Sequence, residues 1–484
     1  MVFAIFLGAL AAEPARADAY TVAYDTVQAT EYRHLSNGFL GSRVTVGQVE
    51  LNTPETNHVA FAGIRFTFHQ TDAGGAHATG VGAILYGRAT NFSGGVATGV
   101  TNVEYWNANN FINNVIVSNA AVTPKVFNQS FSLITTNDVL DAYYNFYIDQ
   151  RKAVIVSGGN NAGAVVDSPG SMANGITVWT SDAYGNPSSV ALGPTWDGRA
   201  KPDLIAPRSA QVAASPAISG NTTTFTNSSY TSIEGPSLST PFVAGAAAIL
   251  LDKAMDAPAL SNATDPRVIK SILMTSAKKM SGWQKGTNGT ADDATAPLDY
   301  RQGAGLLQIK SAYDLLAAGP QGTGGVMRLG WDFATISAGQ SFSYDFSLTN
   351  ALSNGSNFLI RATLNWNVHP ITLTSNLFRN LTLALWQVTN GVTARRLDLS
   401  TGLLDNVQHV FAATTSTGDY RLVLGSLAGN PSGNESYALS WQVAEVPEPS
   451  TALLALGAFA FFLMARRGRC AMSSSEKASR KTFL

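Results

Sequence analysis

The sequence is poor in cysteine and in charged side chains. Its only cysteine, Cys470, lies near the C-terminus, so the body of the chain cannot hold an intramolecular disulfide, a cysteine-rich zinc site or a cysteine nucleophile. Charged residues make up 13% of the sequence, against about 25% in typical globular proteins. With a formal net charge of −1, this excludes a coiled coil, an acidic disordered chain and a highly basic nucleic-acid-binding protein. We expect a globular protein with no nucleic-acid partner.

Long apolar runs are scarce, and the first lies at the N-terminus. Residues 2–12 form a short apolar run, and Ala17-Asp18-Ala19 follows it as a small-x-small sequence. This order is typical of a secretory signal peptide with its cleavage site, although the basic n-region is missing. We predict that residues 1–19 are a signal peptide, with a buried apolar strand as the alternative.

A second apolar run lies near the C-terminus. Residues 451–465 carry no charge, and three arginines follow at 466, 467 and 469. The run is shorter than the roughly 20 residues of a comfortable membrane-spanning helix, and the arginines fit positive charges kept on the cytoplasmic side. Pro447-Glu448-Pro449 precedes it. The segment 446–469 therefore resembles a PEP-CTERM sorting signal, and 470–484 is a basic tail.

This resemblance implies that the protein is exported and sorted. It implies recognition by an exosortase-type sorting machinery and contact with the membrane through a C-terminal transmembrane or sorting helix. The protein would be exported to the cell surface or the extracellular space, with its C-terminus transiently or stably anchored. A plain C-terminal membrane anchor is the alternative.

The body of the chain divides into two domains. Over residues 20–322, strand-like runs such as 44–49 and 153–156 alternate with helix-like segments such as 138–150, which favours a parallel α/β sheet. Over residues 326–444, alternating runs such as 342–348 are separated by turns rich in Asn, Gly and Ser. This second pattern indicates an all-β sandwich.

One serine motif opens an alanine-rich helix, predicted over 241–251. The stretch 235–245 reads Gly-Pro-Ser-Leu-Ser-Thr-Pro-Phe-Val-Ala-Gly and places Ser237 at the helix N-terminus. Unpaired backbone N–H groups and the positive end of the helix dipole favour developing negative charge there. Taken alone, Ser237 would equally well be an N-cap residue.

Two further motifs precede it in the chain. The stretch 77–83, His-Ala-Thr-Gly-Val-Gly-Ala, offers His77 as a general base, since an imidazole with a pKa near 6.5 suits proton transfer at neutral pH. The stretch 154–160 is an apolar strand that ends at Asn160. A turn at Asn160, or Asn161 in its place, is the alternative there.

In this order and spacing, the motifs resemble those of the subtilases, the subtilisin-like serine peptidases. The resemblance covers residues 41–316 and implies a nucleophile at Ser237, a base at His77 and an oxyanion-hole amide at Asn160. It implies substrate binding along the edge strand 128–131, at Ser130 and Phe131. The sequence departs from the family pattern at Gly80, Pro236, Ser239 and Phe242.

The resemblance also implies an acid that completes a catalytic triad with His77 and Ser237. The strand 44–49 ends at Glu50, where the family usually has Asp. Glutamate is one methylene longer, but it can still accept the Nδ1–H bond of His77 if the backbone recedes slightly. Asp72, five residues before His77, is the alternative acid.

The fold class we predict is α/β: a subtilisin-like, three-layer catalytic domain with a parallel sheet, then an all-β, jelly-roll-like sandwich and a C-terminal helix. The predicted function is that of an exported serine endopeptidase, acting on protein or peptide substrates through an acyl-enzyme. No cofactor is required and no metal ligand is predicted; calcium is possible from the family resemblance alone. The alternative is a catalytically degenerate subtilase scaffold that acts as a surface binding protein.

Overall fold

The structure is a computed structural model that describes residues 17–33, 35, 38–70, 72–88, 94–133, 135–159, 165–213, 226–286, 293–349, 356–372 and 375–447. Most of the predicted signal peptide, Asn160, the apolar run at 451–465 and the basic tail lie outside these ranges. The predictions made for them stay predictions.

The first domain is built on a seven-stranded parallel sheet with the order β2-β3-β1-β4-β5-β6-β7. Its alternation of apolar strands and helices confirms the predicted α/β class, since parallel strands need crossover connections that cover both faces. The strands are β1 (Thr45–Glu50), β2 (Arg65–Phe68), β3 (Asn102–Asn107), β4 (Val126–Gln129), β5 (Val154–Gly158), β6 (Ile176–Ser181) and β7 (Leu204–Pro207).

Helices lie against this sheet, and the longest runs through the centre of the domain. They are α1 (Ala17–Thr26), α2 (Ala29–Arg33), α3 (Ala76–Tyr86), α4 (Ala108–Phe111), α5 (Asp138–Arg151), α6 (Ser239–Asp256), α7 (Pro266–Ser276) and α8 (Ile309–Ala317). Helix α6 extends beyond its predicted range at both ends, and its buried residues continue from Ser239 to Ala254. Within the described ranges, Pro236–Asp256 alone is long and apolar enough to span a bilayer, and it lies almost wholly inside the protein.

Two strands outside the main sheet form a hairpin that packs on α3. These strands are β8 (Ser209–Ala213) and β9 (Tyr230–Glu234), in antiparallel register. The polar stretch 209–232 predicts an ordered surface loop or hairpin, and in the described part of it residues 209–213 form β8 and the pairing with β9 begins at Tyr230. The hairpin leads directly into the serine motif, so its packing fixes where that motif begins.

The second domain is the predicted β-sandwich. One sheet has the order β10-β12-β19-β16-β17 and the other β11-β20-β13-β18, with a small hairpin of β14 and β15. Side chains from both sheets share one core, as in aligned sandwiches. The strands are β10 (Gly324–Gly325), β11 (Leu329–Ser337), β12 (Ser341–Leu348), β13 (Ser356–Trp366), β14 (His369–Thr372), β15 (Ser375–Leu377), β16 (Leu381–Thr389), β17 (Val392–Ser400), β18 (Val407–Thr414), β19 (Gly418–Ser426) and β20 (Asn434–Pro447).

The last strand changes one predicted boundary. Strand β20 runs to Pro447, and its residues 437–447 pair with β13, so the sandwich continues past residue 444. The first proline of the Pro-Glu-Pro sequence is therefore the end of a strand. Any sorting segment would begin directly at the edge of the folded domain.

The two domains share a tightly packed interface. Helix α7 lies against β13 and β20, where Thr275 Oγ1 lies 2.8 Å from Thr363 Oγ1 and 2.7 Å from Ser440 Oγ. Trp331 of the sandwich is fully buried in the core of the first domain, and its indole N–H donates to the Leu316 carbonyl at 3.1 Å. Because the buried polar groups are paired across the interface, the sandwich stabilises the first domain.

A buried charge cluster holds the start of β7. The carboxylate of Asp203 lies 2.6 Å from Lys201 Nζ and 3.1 Å from Lys270 Nζ, and it accepts a hydrogen bond from the Thr177 amide at 2.7 Å. Burial would raise the pKa of Asp203, but the two ammonium groups outweigh it and lower that pKa. Burial lowers the pKa of Lys201 to about 7, against the opposing effect of Asp203.

Replacing Asp203 by Asn should be strongly destabilising. The two buried lysines would keep their desolvation cost and lose their counter-ion, a change that typically costs about 3–5 kcal/mol. The free energy of unfolding, measured in urea, should therefore be lower for Asp203→Asn than for Asp314→Asn. The control variant breaks the half-exposed ion pair with Lys310, and this loss should cost about 1 kcal/mol or less. Equal losses in the two variants would contradict this account of the cluster.

Candidate active site

Glu50 and His77 form the centre of the candidate site. Strand β1 pairs with β3 on one side and β4 on the other, so Glu50 ends a strand inside the sheet. His77 lies in the first turn of α3, after the Gly75 N-cap. The structure brings the two together, with His77 Nδ1 donating to Glu50 Oε2 at 2.9 Å.

The alternative acid, Asp72, is bonded to residues other than His77. Asp72 accepts hydrogen bonds from the side-chain amides of Asn107, at 3.0 Å, and Gln70, at 3.1 Å. These bonds fix its carboxylate on the β3 side of the loop. Among the described residues, Glu50 is the carboxylate bonded to His77, which is the arrangement that the strand-end position predicts.

Burial and mutual attraction set the protonation of this pair. Glu50 is 1% exposed, and burial raises its pKa, although the charge and hydrogen bond of His77 partly offset the shift. Burial would lower the pKa of His77, but the charge and hydrogen bond of Glu50 outweigh it and raise that pKa above 6.5. The pair therefore binds a proton more tightly than two separate groups would.

Two atoms of the pair have no hydrogen-bond partner among the described residues. They are Glu50 Oε1 and His77 Nε2, both buried. With its proton on Nδ1, bonded to Glu50, His77 has Nε2 as an acceptor that no described residue satisfies. Catalytic hydrogen bonds are often completed only when a substrate binds.

Ser237 lies on an element that contacts helix α3, which carries His77. It occupies a single 3₁₀ turn, Pro236–Leu238, that leads into α6, and this turn contacts α3. Pro236 takes the first helical position, where its missing N–H is not needed. Ser130 Oγ donates to the Ser237 carbonyl at 2.8 Å, which anchors the turn to the end of β4.

Close packing explains two glycines near the site. A Cβ on Gly80 would lie 2.7 Å from Ile233 Cδ1 of the hairpin, so an alanine there would require the Ile233 side chain to move. A Cβ on Gly245 would lie 2.6 Å from the Cβ of Val96. Glycine at these positions lets the hairpin approach α3 and lets α6 approach the loop at Val96.

The other departures from the family pattern also have local partners. Ser239 Oγ donates to the Pro207 carbonyl at 3.2 Å, which ties the start of α6 to the end of β7. The ring of Phe242 packs on Tyr24, with 5.1 Å between centroids. These substitutions serve packing and leave the Glu50–His77 bond in place.

Sequence reasoning missed the residue that orients α3. Gln48 is fully buried in β1, and its Nε2 donates to the Ala78 carbonyl at 2.8 Å. Its Oε1 accepts from the hydroxyl of Tyr86. A glutamine inside an otherwise apolar strand, two residues before Glu50, is the signal that could have identified it.

The predicted substrate strand needs a correction. The sequence predicts an edge strand over 128–131, but β4 lies between β1 and β5, and Ser130 follows its end. Both Ser130 and Phe131 are 3% exposed. Phe131 packs in a core cluster, so neither side chain is open to solvent, and their role in substrate binding stays a prediction.

Two other histidines, His58 and His369, have structural surroundings. His58 Nδ1 accepts from the Ala60 amide at 3.0 Å, and its Nε2 lies 2.7 Å from the Ser229 carbonyl. His369 lies between Asp149 of α5 and Glu435 of β20, whose hydrogen bonds raise its pKa to about 9. Within the part of the chain that the structure describes, no three His, Cys, Asp or Glu side chains are grouped as metal ligands.

Comparison with known proteins identifies the family pattern. The model of the subtilase family matches residues 54–305, just over half of the chain. No curated protein sequence matches the chain significantly. Three solved structures that are similar to the chain each share less than 20% sequence identity with it.

The prenylagaramide maturation protease PagA has a TM-score of 0.45 and 19% identity, over 59% of this chain and 98% of its own. A serine protease of Aeromonas sobria has a TM-score of 0.45 and 15% identity, over 84% of this chain and 89% of its own. A protease from Pseudoalteromonas arctica has a TM-score of 0.45 and 16% identity, over 62% of this chain and 98% of its own.

The pKa of His77 should depend on Glu50 in a direction that can be measured. In the wild type, Glu50 raises this pKa above 6.5; in Glu50→Gln the charge is lost, and burial should lower it below 6.5. Titration of the His77 ring by NMR would measure both values, with Asp72→Asn as the matched control that should leave the pKa unchanged. A larger shift in Asp72→Asn than in Glu50→Gln would reverse the assignment of the acid.

Proposed function

The chain belongs to the subtilase family of serine peptidases, and we propose that it hydrolyses peptide bonds as an exported endopeptidase with a Glu50–His77–Ser237 triad. The observation that carries this proposal is the 2.9 Å bond between Glu50 and His77, with Nε2 of His77 left without a described partner. The nucleophile turn Pro236–Leu238 contacts the same helix that carries this base.

The first chemical step would be attack by Ser237. His77 Nε2 takes the proton from Ser237 Oγ as the oxygen bonds to the peptide carbonyl carbon. The tetrahedral intermediate then collapses, His77 donates the proton to the leaving amine, and an acyl-enzyme remains. Water, activated by His77 in the same way, releases the acid product and restores Ser237.

Glu50 has two tasks in this cycle. Its bond to Nδ1 keeps the His77 tautomer that leaves Nε2 free to accept a proton. Its charge also stabilises the imidazolium that forms in the transition state, and this effect is strong because Glu50 is almost completely buried. The longer side chain reaches His77 from the very end of β1.

The oxyanion hole would be formed by backbone and side-chain donors. Ser237 precedes α6, whose N-terminal amides face developing negative charge. We propose that the Asn160 side chain supplies the second donor, because β5 ends at Gly158, two residues before it. In serine peptidases, loss of one such donor costs about 10²–10³-fold in rate.

We also propose that the protein is exported and sorted through its C-terminal segment. The folded sandwich ends at Pro447, and the sequence continues with Glu448-Pro449, an uncharged run and arginines. Cleavage near the Pro-Glu-Pro sequence would therefore release a complete catalytic domain and sandwich from the membrane.

Peptide hydrolysis should depend on Glu50 and not on Asp72. Since Glu50→Gln removes the charge that orients and stabilises His77, kcat on a protein substrate should fall about 10⁴-fold. Ser237→Ala should remove the acyl-enzyme pathway. Asp72→Asn should retain most of the activity, because Asp72 bonds to Asn107 and Gln70.

The same three variants separate the competing functions. Activity in Glu50→Gln equal to that of the wild type would contradict the proposed triad. Inactivity of a folded wild-type protein on any peptide bond, with unimpaired partner binding, would support a degenerate scaffold that acts by binding. Turnover of esters but not peptides would indicate an esterase built on the same residues.

A further inference from the structure

A cleft lies between the two domains, among residues that the proposed mechanism does not use. Its volume is about 480 Å³, and it is lined by the first turns of α5, by the loops before β6 and β7 and by three loops of the sandwich. None of Glu50, His77 and Ser237 lines it.

Large apolar side chains are exposed around this cleft. Trp196 is 52% exposed, Leu403 57% and Leu404 56%, and Val139 of α5 is also exposed. These four are among the fourteen large apolar side chains that are exposed in the described part of the chain. Single exposed apolar residues are ordinary, but several around one concave surface indicate a binding site.

The loop that carries Trp196 is held firmly. Arg199 Nε lies 2.7 Å from Asp197 Oδ2, and Arg199 Nη1 donates to the Ser171 carbonyl at 2.7 Å. The next amide, of Ala200, donates to Asp405 Oδ1 in the sandwich at 2.7 Å. Because the loop is fixed on both sides of the cleft, Trp196 is preorganised in an exposed position.

The lining is acidic. It contains three carboxylates, Asp138, Asp141 and Asp197, and one cation, Arg199, which is paired with Asp197. Asp141 is 5% exposed. Its Oδ2 accepts from Ser171 Oγ at 2.5 Å, but its Oδ1 is buried and has no hydrogen-bond partner among the described residues.

An unpaired oxygen on a buried carboxylate is costly unless a ligand satisfies it. A cation is the matching partner, since Asp138 adds a second negative charge from the same helix turn. Burial also raises the pKa of Asp141 to about 6, an effect that the Ser171 hydrogen bond and the nearby charge of Arg199 only partly offset. The apolar rim and the acidic floor together favour a ligand that is both basic and apolar.

We propose that this cleft binds a segment of a partner or substrate protein in which a lysine or arginine is flanked by apolar side chains. The ammonium or guanidinium group donates to Asp141 Oδ1, and the apolar neighbours contact Trp196 and Leu404. The cleft is thus a second peptide-binding site of the protein. Its function does not require peptide-bond cleavage, so it can be tested separately from the triad.

The test uses the full chain with Ser237→Ala, which prevents cleavage of the probe. A fluorescein-labelled peptide of sequence Gly-Leu-Arg-Leu-Gly is titrated by fluorescence anisotropy, beside the same peptide with Glu in place of Arg. The arginine peptide should bind at least about 10-fold more tightly. Adding Asp141→Asn should weaken its binding by about 10-fold or more, as expected for loss of a charged hydrogen bond.

Two further variants guard against indirect effects. Asp314→Asn removes one surface carboxylate from α8 and should leave peptide binding unchanged. Trp196→Ala changes an exposed side chain that the fold does not need, and it should weaken binding even if Asp141→Asn fails to fold.

Equal binding of the two peptides would overturn the proposal, as would full binding in both Asp141→Asn and Trp196→Ala. A third result would also overturn it. If the arginine peptide binds only after the six Lys and Arg residues of 466–484 are replaced by Gln, the occupant of the cleft is the chain's own basic tail.

Discussion

The bond between Glu50 and His77 is the interaction on which the site depends. An ionised carboxylate buried at the end of an internal strand costs several kcal/mol unless a partner offsets its desolvation. His77 is that partner, and its own burial is tolerated because Glu50 raises its pKa. Without the other, either group would carry a desolvation cost that nothing offsets. The geometry that makes the pair stable also leaves Nε2 of His77 turned away from Glu50 and available for a proton.

The rest of the domain holds the two ends of that bond in place. Strand β1 is fixed by neighbours on both sides, and Gln48 connects it directly to the backbone of α3. Small residues at Gly80 and Gly245 let the hairpin and α6 come close. The sandwich packs on α7 and contributes Trp331 to the first domain's core, so it acts as part of the support.

Much of this arrangement could be predicted because its signals are local in sequence. The serine and histidine motifs lie on single elements, and the alternation of strands and helices follows from burial on both faces of a parallel sheet. The choice between Glu50 and Asp72 was open because Glu50 ends a strand where the family usually has Asp, whereas Asp72 lies five residues before His77. Asp72 is instead bonded to Gln70 of its own loop and to Asn107 at the end of β3, and the contact with Asn107 joins segments 35 residues apart.

Other features depend on contacts between distant segments and could not be read locally. The stretch 128–131 was predicted as an edge strand, but its first two residues belong to β4, which lies between β1 and β5. Strand order depends on crossover connections between segments that are far apart in the chain. The sequence around Lys201 and Asp203 does not indicate that Lys270 of α7 forms a buried ion pair with Asp203. The interdomain cleft depends on loops some 200 residues apart, Trp196 and Leu404 among them.

The most direct test of the triad is to map the covalent adduct formed with a fluorophosphonate probe. The full chain is treated with the probe, digested and analysed by tandem mass spectrometry. Our account predicts one adduct per chain, on Ser237, formed much more slowly in Glu50→Gln and absent in Ser237→Ala. A folded protein that takes up no probe, or that is modified at another serine at the wild-type rate, would contradict it.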